Sequence, residues 1–407
     1  MDSGPNRKRE VIRQWQQLMA LTFAHTVVDL FVGMLTPLLI PMQNWYGVSL
    51  SALIFVVTMK GFSSNVLQIP CGLIRPGKGK PHLIAIALVF AGCATWIPNL
   101  PRGRMAIPLM ILCAIVAGFG TALLHPIGLR ALQGLDRIAS SLSTSIFMVA
   151  GFSGFAGGAW LSATLVQHFG LSSVFLLCTL VPLAAAAVYA TGVRLHLDNE
   201  HPVRSPSDPN AAFPKLPFVP LFLLASFTAT SSQIQSVLLP SYLHDTVGYS
   251  LSFSGFSFAM YGIGSMIGAV VWGAAASRAG IVRLLTVFPF LGVLFTTLYL
   301  WAIPHGRWAT PLLAMAGFTA YTVFPLSITL ARYSASRLPL GVRMGLMSGG
   351  SWSLAAMSMW VISPFADPQQ GIGFRPFLHL VWVGYLVAGC VAFGTARAAA
   401  PRTEHKA

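Results

Sequence analysis

Residues 17–41 read QLMALTFAHTVVDLFVGMLTPLLIP, an apolar run with one carboxylate, Asp29, at its centre. The run is long enough to cross about 30 Å of hydrocarbon as an α-helix. A carboxylate at that depth costs about 2.5 to 3.5 kcal/mol on insertion scales, so it must pair, bind a ligand or carry a proton. The segment therefore predicts a membrane-spanning helix with a functional charge.

The rest of the chain has the same apolar character. Hydrophobic residues make up 55% of the 407 residues and charged residues only 9%, whereas soluble domains are about 25% charged. The sequence therefore predicts an all-α membrane protein. Its twelve predicted spans lie at 17–41, 50–73, 82–100, 105–128, 138–166, 172–193, 217–243, 251–276, 281–302, 309–332, 343–365 and 376–397.

The basic residues are concentrated in alternate loops. With the N-terminus in the cytoplasm, 20 of the 25 Lys and Arg residues fall on the cytoplasmic side, four fall on the other side, and Lys60 lies within a span. This asymmetry is the positive-inside signal. It accounts for the net charge of +15 without nucleic acid, and it predicts a multi-pass protein of the plasma (inner) membrane with both termini in the cytoplasm.

The cysteines and the expected partners narrow the possible classes of protein further. The five cysteines fall in apolar spans without a Cys-x-x-Cys pair, so neither a disulfide framework nor a zinc site is indicated. We expect no metal and no organic cofactor. The expected partners are the lipid bilayer, protons and a small-molecule substrate, and we expect a monomer.

The two halves of the chain resemble each other at a near-constant offset of 201, 201 and 199 residues. The matching pairs are Ser49-Leu50-Ser51 with Ser250-Leu251-Ser252, Gly72 with Gly273, and His125-Pro126 with Phe324-Pro325. A polar, proline-containing stretch between the halves is typical of a flexible linker. We therefore predict an N-terminal six-helix bundle at 1–193, a cytoplasmic linker at 194–215 and a C-terminal six-helix bundle at 216–407.

Two motifs lie in the N-terminal half, one after span 2 and one in span 5. The loop after span 2 reads Gly72-Leu73-Ile74-Arg75-Pro76-Gly77-Lys78-Gly79-Lys80-Pro81. It resembles the pattern Gly-x-x-x-Asp-Arg-x-Gly-Arg-Arg of the major facilitator superfamily, in which six-helix repeats are arranged in parallel, with Pro76 in place of Asp and Gly77 in place of Arg. Span 5 carries Gly151-x-x-Gly154-x-x-Gly157-Gly158, which resembles the glycine-rich motif of antiporters and is also a pattern for close helix packing. The resemblance implies a secondary transporter.

The N-terminal half carries four further short motifs in order along the chain. They are Ala24-His25-x-x-x-Asp29, Leu67-Gln68-x-Pro70-x-x-Gly72, Leu124-His125-Pro126 with Arg130, and Ser145-Ile146-Phe147-x-Val149-x-Gly151. Together they resemble the fosmidomycin resistance family of efflux proteins. Two departures are Ile127, where that family carries Glu, and Lys60, where a neutral polar residue is typical. The resemblance implies drug efflux and antibiotic resistance, without implying fosmidomycin itself as the substrate.

Three ionisable residues suggest how transport could be coupled to protons. His25 and Asp29 are four residues apart and therefore lie on one helix face, and Lys60 lies at a depth close to that of Asp29. An Asp29–Lys60 pair would neutralise both charges, and protonation of Asp29 would release Lys60 to bind an anionic substrate. The ordinary pKa of imidazole, about 6.5, suits proton transfer. The alternative is a static buried ion pair between spans 1 and 2.

Further polar and small residues are candidates for substrate binding and gating. The substrate-binding candidates are Lys60, Gln68, His125, Ser232, Gln235, Tyr261 and Trp352. The gating candidates are Arg130, Gly151, Gly154 and Gly158. Each has a structural alternative, namely a helix cap, a packing hydrogen bond or a close helix contact.

These observations favour a proton-coupled exporter of a small organic compound, with anionic compounds included. Uptake by proton symport is an alternative, because these residues do not encode the direction of transport. A sensor that keeps the fold without transporting is another alternative. A membrane enzyme is disfavoured, because the sequence shows neither paired carboxylates within a span nor a His-x-x-x-His motif.

Overall fold

The computed structural model describes residues 5–74, 81–132, 134–138, 140–195, 216–338, 340–369 and 371–399. In these ranges the chain forms twelve long helical elements, as the sequence predicts, and several of them contain short 3-10 or π-helical turns. In the N-terminal half they are α1 (Pro5–Gly33, continued by Leu39–Tyr46), α2 (Leu50–Gly72), α3 (His82–Gly92, continued by Cys93–Asn99), α4 (Ala106–Leu132), α5 (Ser140–Phe169) and α6 (Leu171–Thr179, continued by Leu180–Ala190).

The C-terminal half repeats this order of six helical elements. They are α7 (Phe218–Ser241), α8 (Leu251–Ala279), α9 (Ile281–Ala302), α10 (Thr310–Ala316, Gly317–Tyr321 and Val323–Tyr333), α11 (Leu340–Gly345, Leu346–Gly350 and Ser351–Ala366) and α12 (Phe374–Ala399). Most of the predicted linker, residues 196–215, and the motif loop 75–80 lie outside the described residues.

Ten of the helices in the described ranges are long and apolar enough to cross a membrane. The two others are α7 and α11, which carry Ser, Thr, Gln or Gly at many positions. Both pack against other helices: α7 packs against α10, α11 and α12, and α11 packs against α7 and α2. A membrane helix that faces other helices can carry polar residues that a lipid-facing helix cannot.

The two bundles meet along two pairs of helices. Helix α5 packs against α8, and α2 packs against α11. We call the end of the molecule at which α1 begins and α12 ends the terminal face, and the opposite end the far face. Helix α1 extends past the predicted span toward the terminal face, because the Gln- and Arg-rich segment before residue 17 contains good helix formers and its proline, Pro5, is the first residue of the helix.

Candidate functional site

The carboxylate of Asp29 lies between two imidazoles. His25, on the same helix α1, places Nε2 at 3.2 Å from Asp29 Oδ2. His125, on α4, places Nε2 at 3.5 Å from Asp29 Oδ1. The side chain of His25 is 1% exposed, that of Asp29 16% and that of His125 24%. We call these three residues the His–Asp–His cluster.

Backbone carbonyls determine which ring nitrogen of each histidine carries hydrogen. His25 Nδ1 lies 2.7 Å from the carbonyl oxygen of Phe147, and His125 Nδ1 lies 2.9 Å from that of Thr121. A carbonyl oxygen only accepts, so each Nδ1 must donate. Each Nε2 of a neutral ring then directs a lone pair at the Asp29 carboxylate. Two acceptors at this spacing share a hydrogen or bind a cation, namely a proton on Nε2 or on the Asp29 carboxyl group, or a metal ion.

Helix α5 supplies the surface on which the cluster rests. The His25 ring stacks on Phe147 with 4.0 Å between ring centroids, and it meets His125 edge-on at 5.0 Å. Gly151 leaves the necessary space, since a Cβ atom there would lie 2.5 Å from Asp29 Oδ2 and 2.6 Å from His25 Cε1. This glycine is therefore required by the cluster itself.

The next glycines of the α5 motif serve helix packing. A Cβ atom on Gly154 would collide with the carbonyl oxygen of Thr26, and one on Gly158 with that of Leu30. Both carbonyls belong to α1, so the two helices are in backbone contact. The contacts of these two gating candidates thus fix the distance between α1 and α5.

Lys60 occupies a different place from the one expected. Its Nζ is buried and donates to the carbonyl oxygen of Phe31 at 2.6 Å. Within the described residues the expected direct pair with Asp29 is not formed, although the two charges interact electrostatically. The physical reason is that Phe31 lies in the last turn before α1 ends at Gly33, where carbonyl groups lose their helical donors. The ammonium satisfies one of them.

Aromatic side chains of the C-terminal half face the cluster across the seam between the bundles. Tyr321 is close enough to interact electrostatically with Asp29. Its ring contacts Phe152 of α5 at 5.6 Å, Tyr261 at 5.9 Å and Trp352 at 6.2 Å between centroids. We call Tyr261, Tyr321 and Trp352 the aromatic wall.

Two members of the aromatic wall adjoin π-helical turns. Gly317–Tyr321 ends at Tyr321, and Leu346–Gly350 ends two residues before Trp352. Such turns disturb regular helical hydrogen bonding and occur frequently at functional sites. Of these rings, Tyr321 lies at the junction of the two bundles, against Phe152 of α5.

A hydroxyl network lies behind the aromatic wall. Ser232 Oγ is 2.8 Å from the Tyr261 hydroxyl and 3.5 Å from that of Tyr385, and the two tyrosine hydroxyls are 3.0 Å apart. All three residues are buried. The network joins α7, α8 and α12 and places neutral donors and acceptors deep in the C-terminal half.

Two predicted substrate-binding residues lie elsewhere. Gln235 lines a small cavity with Thr296 and Tyr299, between α7, α9 and α12, and neither atom of its amide has a partner in the described structure. Gln68 is half-buried on α2, about two helical turns beyond Lys60 toward the terminal face. The structure brings neither residue to the His–Asp–His cluster.

Arg130, predicted as a gate residue, closes the end of α2. Its guanidinium donates to the carbonyl oxygens of Ile74 at 2.7 Å and Gly72 at 3.0 Å. A cation at a helix C-terminus satisfies free carbonyls and interacts favourably with the helix dipole. The contact ties α4 to α2 within one bundle.

Tyr321 and Tyr385 are not among the residues predicted from the sequence. One signal was available for Tyr321: it lies one turn before Phe324-Pro325, the repeat counterpart of His125-Pro126. No comparable pattern marks Tyr385, whose role depends on contacts from two other helices.

The cluster also has the composition of a metal site. One ligand atom from each of His25, Asp29 and His125 lies within 4.8 Å of the others. Nitrogen and carboxylate ligands of this kind suit zinc and neighbouring transition metals. The buried ammonium of Lys60, an electrostatic neighbour of Asp29, opposes a divalent cation.

Comparisons with known proteins agree with this architecture. The sequence model of the Major Facilitator Superfamily matches residues 21–359. No relative is detected among curated protein sequences.

Solved structures resemble the whole chain at low sequence identity. A bacterial homologue of the human lysosomal transporter Spinster, inward-facing and unoccupied, superposes with a TM-score of 0.71 and 13% identity over 95% of this chain and 97% of that one. A mutant of the nucleoside transporter NupG gives 0.71 and 12% over 93% and 99%. A bacterial homologue of the human drug peptide transporters gives 0.68 and 13% over 94% and 98%.

Proposed function

Because this chain belongs to the major facilitator superfamily, and is therefore a multi-pass membrane transporter and not an enzyme, we propose that it exports a small organic compound in exchange for protons. Substrate binds at the seam between the bundles, and access alternates between the two membrane faces. The export direction follows the resemblance of the N-terminal half to the fosmidomycin resistance family. We place the protein in the plasma (inner) membrane with both termini in the cytoplasm, on the charge asymmetry of its loops.

The proposal of proton coupling rests on the His–Asp–His cluster. Its two Nε2 atoms face one carboxylate, so its charge changes by one unit with each proton gained or lost. Imidazole exchanges protons near neutral pH. The cluster also faces Tyr321 across the seam. A substrate held against the aromatic wall therefore interacts with the charge of Asp29 and its partners. Binding of a proton then alters the affinity for substrate, and binding of substrate alters the affinity for the proton.

Lys60 supports anionic compounds as the first substrates to test. Its ammonium is buried in the same bundle and is held by one carbonyl oxygen. Asp29 is its electrostatic neighbour, so protonation of the cluster increases the net positive charge near the seam. Such a change strengthens attraction for a negatively charged group, most of all in a site with little water.

Proton movement in proteoliposomes tests the proposal. The vesicles carry a pH-sensitive dye, candidate organic anions are added, and the native chain is compared with Asp29→Asn. Asp245→Asn is the matched control, because Asp245 is exposed and lies outside the ten candidate spans. We expect substrate to trigger proton movement in the native chain and the control, with a loss of at least tenfold in Asp29→Asn.

The other outcomes are equally informative. An unchanged signal in Asp29→Asn would refute proton coupling at the cluster. Proton movement in the same direction as the substrate would replace export with uptake by symport. Substrate movement without proton movement would leave an uncoupled carrier, and movement of neither would favour a sensor.

A divalent transition metal is the second candidate substrate. Tetrahedral ligands at about 2.0 Å from zinc lie about 3.3 Å apart, and His25 Nε2 lies 3.2 Å from Asp29 Oδ2. The same vesicles loaded with a zinc-sensitive dye distinguish the two candidates. Zinc entry that is lost in His125→Asn, without a response to organic anions, would favour the metal.

A further inference from the structure

The repeated Ser-Leu-Ser motifs begin two equivalent helices at the far face. Ser49 is the N-cap of α2, and its hydroxyl accepts from the backbone N–H of Ala52 at 3.3 Å. Ser250 is the N-cap of α8, and its hydroxyl accepts from the N–H of Phe253 at 3.3 Å. Each cap satisfies one donor of the first turn and leaves others free.

A free donor of each helix is satisfied by the opposite bundle. The N–H of Leu50 donates to Asp367 Oδ2 at 3.3 Å, from the residue that follows α11. The N–H of Ser252 donates to Gln167 Oε1 at 2.8 Å, from the last turn of α5. The Ser252 hydroxyl also lies 2.8 Å from that of Thr164. Both helix starts are thus held across the seam.

The two acceptors are related by the same internal repeat. Gln167 and Asp367 are 200 residues apart, which agrees with the offsets of 201, 201 and 199 found for the other matching pairs. In each bundle, therefore, the end of the fifth helix caps the start of the second helix of the other bundle. This symmetry indicates one structural device used twice, and an accidental pair of surface contacts would not follow the repeat.

The surroundings of the two bonds differ. Asp367 is fully buried, and its other carboxylate oxygen accepts from the N–H of Gln369 at 2.9 Å. Gln167 is exposed. A buried negative charge at the positive end of a helix dipole is held more strongly than an exposed neutral amide.

We propose that the bonds Asp367–Leu50 and Gln167–Ser252 are paired latches that hold the far face closed, and that both break when the transporter opens at that face. The latches link the two bundles directly, at the positions where opening must separate α2 from α11 and α5 from α8. This role is independent of substrate identity and of proton coupling.

Distances between spin labels across the far face test the proposal. Labels are attached at Asn44→Cys and His305→Cys, exposed positions in opposite bundles, after replacement of the five native cysteines. Asp367→Ala removes the charged latch, and we expect the population with the longer distance to rise about fivefold, the effect typical of a lost helix cap. Gln167→Ala should raise it about twofold, and the double variant should multiply the effects.

Ser49→Ala and Ser250→Ala are the matched controls. They remove caps on the same two helices, but these caps act within one bundle, so the distance distribution should stay as in the native chain. Gln167→Glu adds a charge at the start of α8 and should lower the open population. It also keeps the proposal testable if Asp367→Ala fails to fold.

Two results would contradict the proposal that these bonds hold the far face closed. One is a native distance distribution in Asp367→Ala, Gln167→Ala and the double variant, which would make both bonds local caps. The other is an equal shift in the Ser49 and Ser250 controls, which would attribute the effect to helix fraying.

Discussion

The two bundles repeat one architecture, yet they place different chemistry at equivalent positions. His25 corresponds to Ser226 at an offset of 201, and Gly151 to Ser351 at 200. In the N-terminal bundle an imidazole and a carboxylate fill the space left by the glycine. In the C-terminal bundle the two serines face each other with 3.5 Å between hydroxyl oxygens. A glycine in one repeat therefore makes room for a charged site, whereas two serines occupy the equivalent positions of the other repeat.

The fourth helix of each repeat differs in the same way. His125 in α4 contacts Asp29, whereas Phe324, its counterpart in α10, meets the Trp352 ring edge-on at 5.5 Å between centroids. At these equivalent positions the ionisable side chains lie in the N-terminal bundle, and the C-terminal bundle carries aromatic rings and hydroxyl groups. This division is consistent with proton exchange in one half and substrate recognition in the other.

Among changes that test this difference between the bundles, Gly151→Ala should have the largest effect on transport. The new Cβ would lie 2.5 Å from Asp29 Oδ2, so the cluster must move, and overpacking of this kind costs about 1 to 3 kcal/mol. We expect coupled transport to fall at least tenfold in proteoliposomes. Gly157→Ala is the control, because in the described part of the chain no atom beyond its own stretch of helix lies within 4 Å of a Cβ there. Equal activity in both variants would contradict a spatial role for Gly151.

His125→Phe should have an intermediate effect on transport. It places in α4 the residue type that Phe324 provides at the equivalent position of α10. The cluster would lose one of its two Nε2 atoms, so one proton fewer can be bound. We expect severalfold slower coupled transport and a flatter rate profile between about pH 5 and pH 8, the range in which imidazole titrates. A native pH profile in this variant would show that His125 takes no part in proton binding.

Tyr261→Phe should have the smallest effect. It removes the hydroxyl that joins Ser232 to Tyr385, which leaves buried partners less satisfied at a cost of about 1 kcal/mol. We expect a slightly lower melting temperature and a few-fold higher KM for substrate, with the number of protons moved per substrate unchanged. An altered proton ratio would place coupling chemistry in the C-terminal bundle as well.

The sequence was sufficient for the fold class and the superfamily. Length and apolarity indicated twelve helices, and matching motifs at a near-constant offset indicated two six-helix bundles. Both signals can be read from the chain itself, because each helix and each motif is a continuous segment of sequence. The helical period likewise placed His25 and Asp29 on one face of α1, and the structure shows them 3.2 Å apart.

The partners of those residues were decided by tertiary structure alone. Depth in the membrane suggested Lys60 as the partner of Asp29, but depth does not specify which way a side chain turns. The break after Gly33 offers the ammonium a free carbonyl oxygen on Phe31, while α4 and α5 deliver His125 and the Phe147 carbonyl to the cluster. Contacts between helices distant in sequence leave no periodic signal, so the site became visible only when the bundle was assembled.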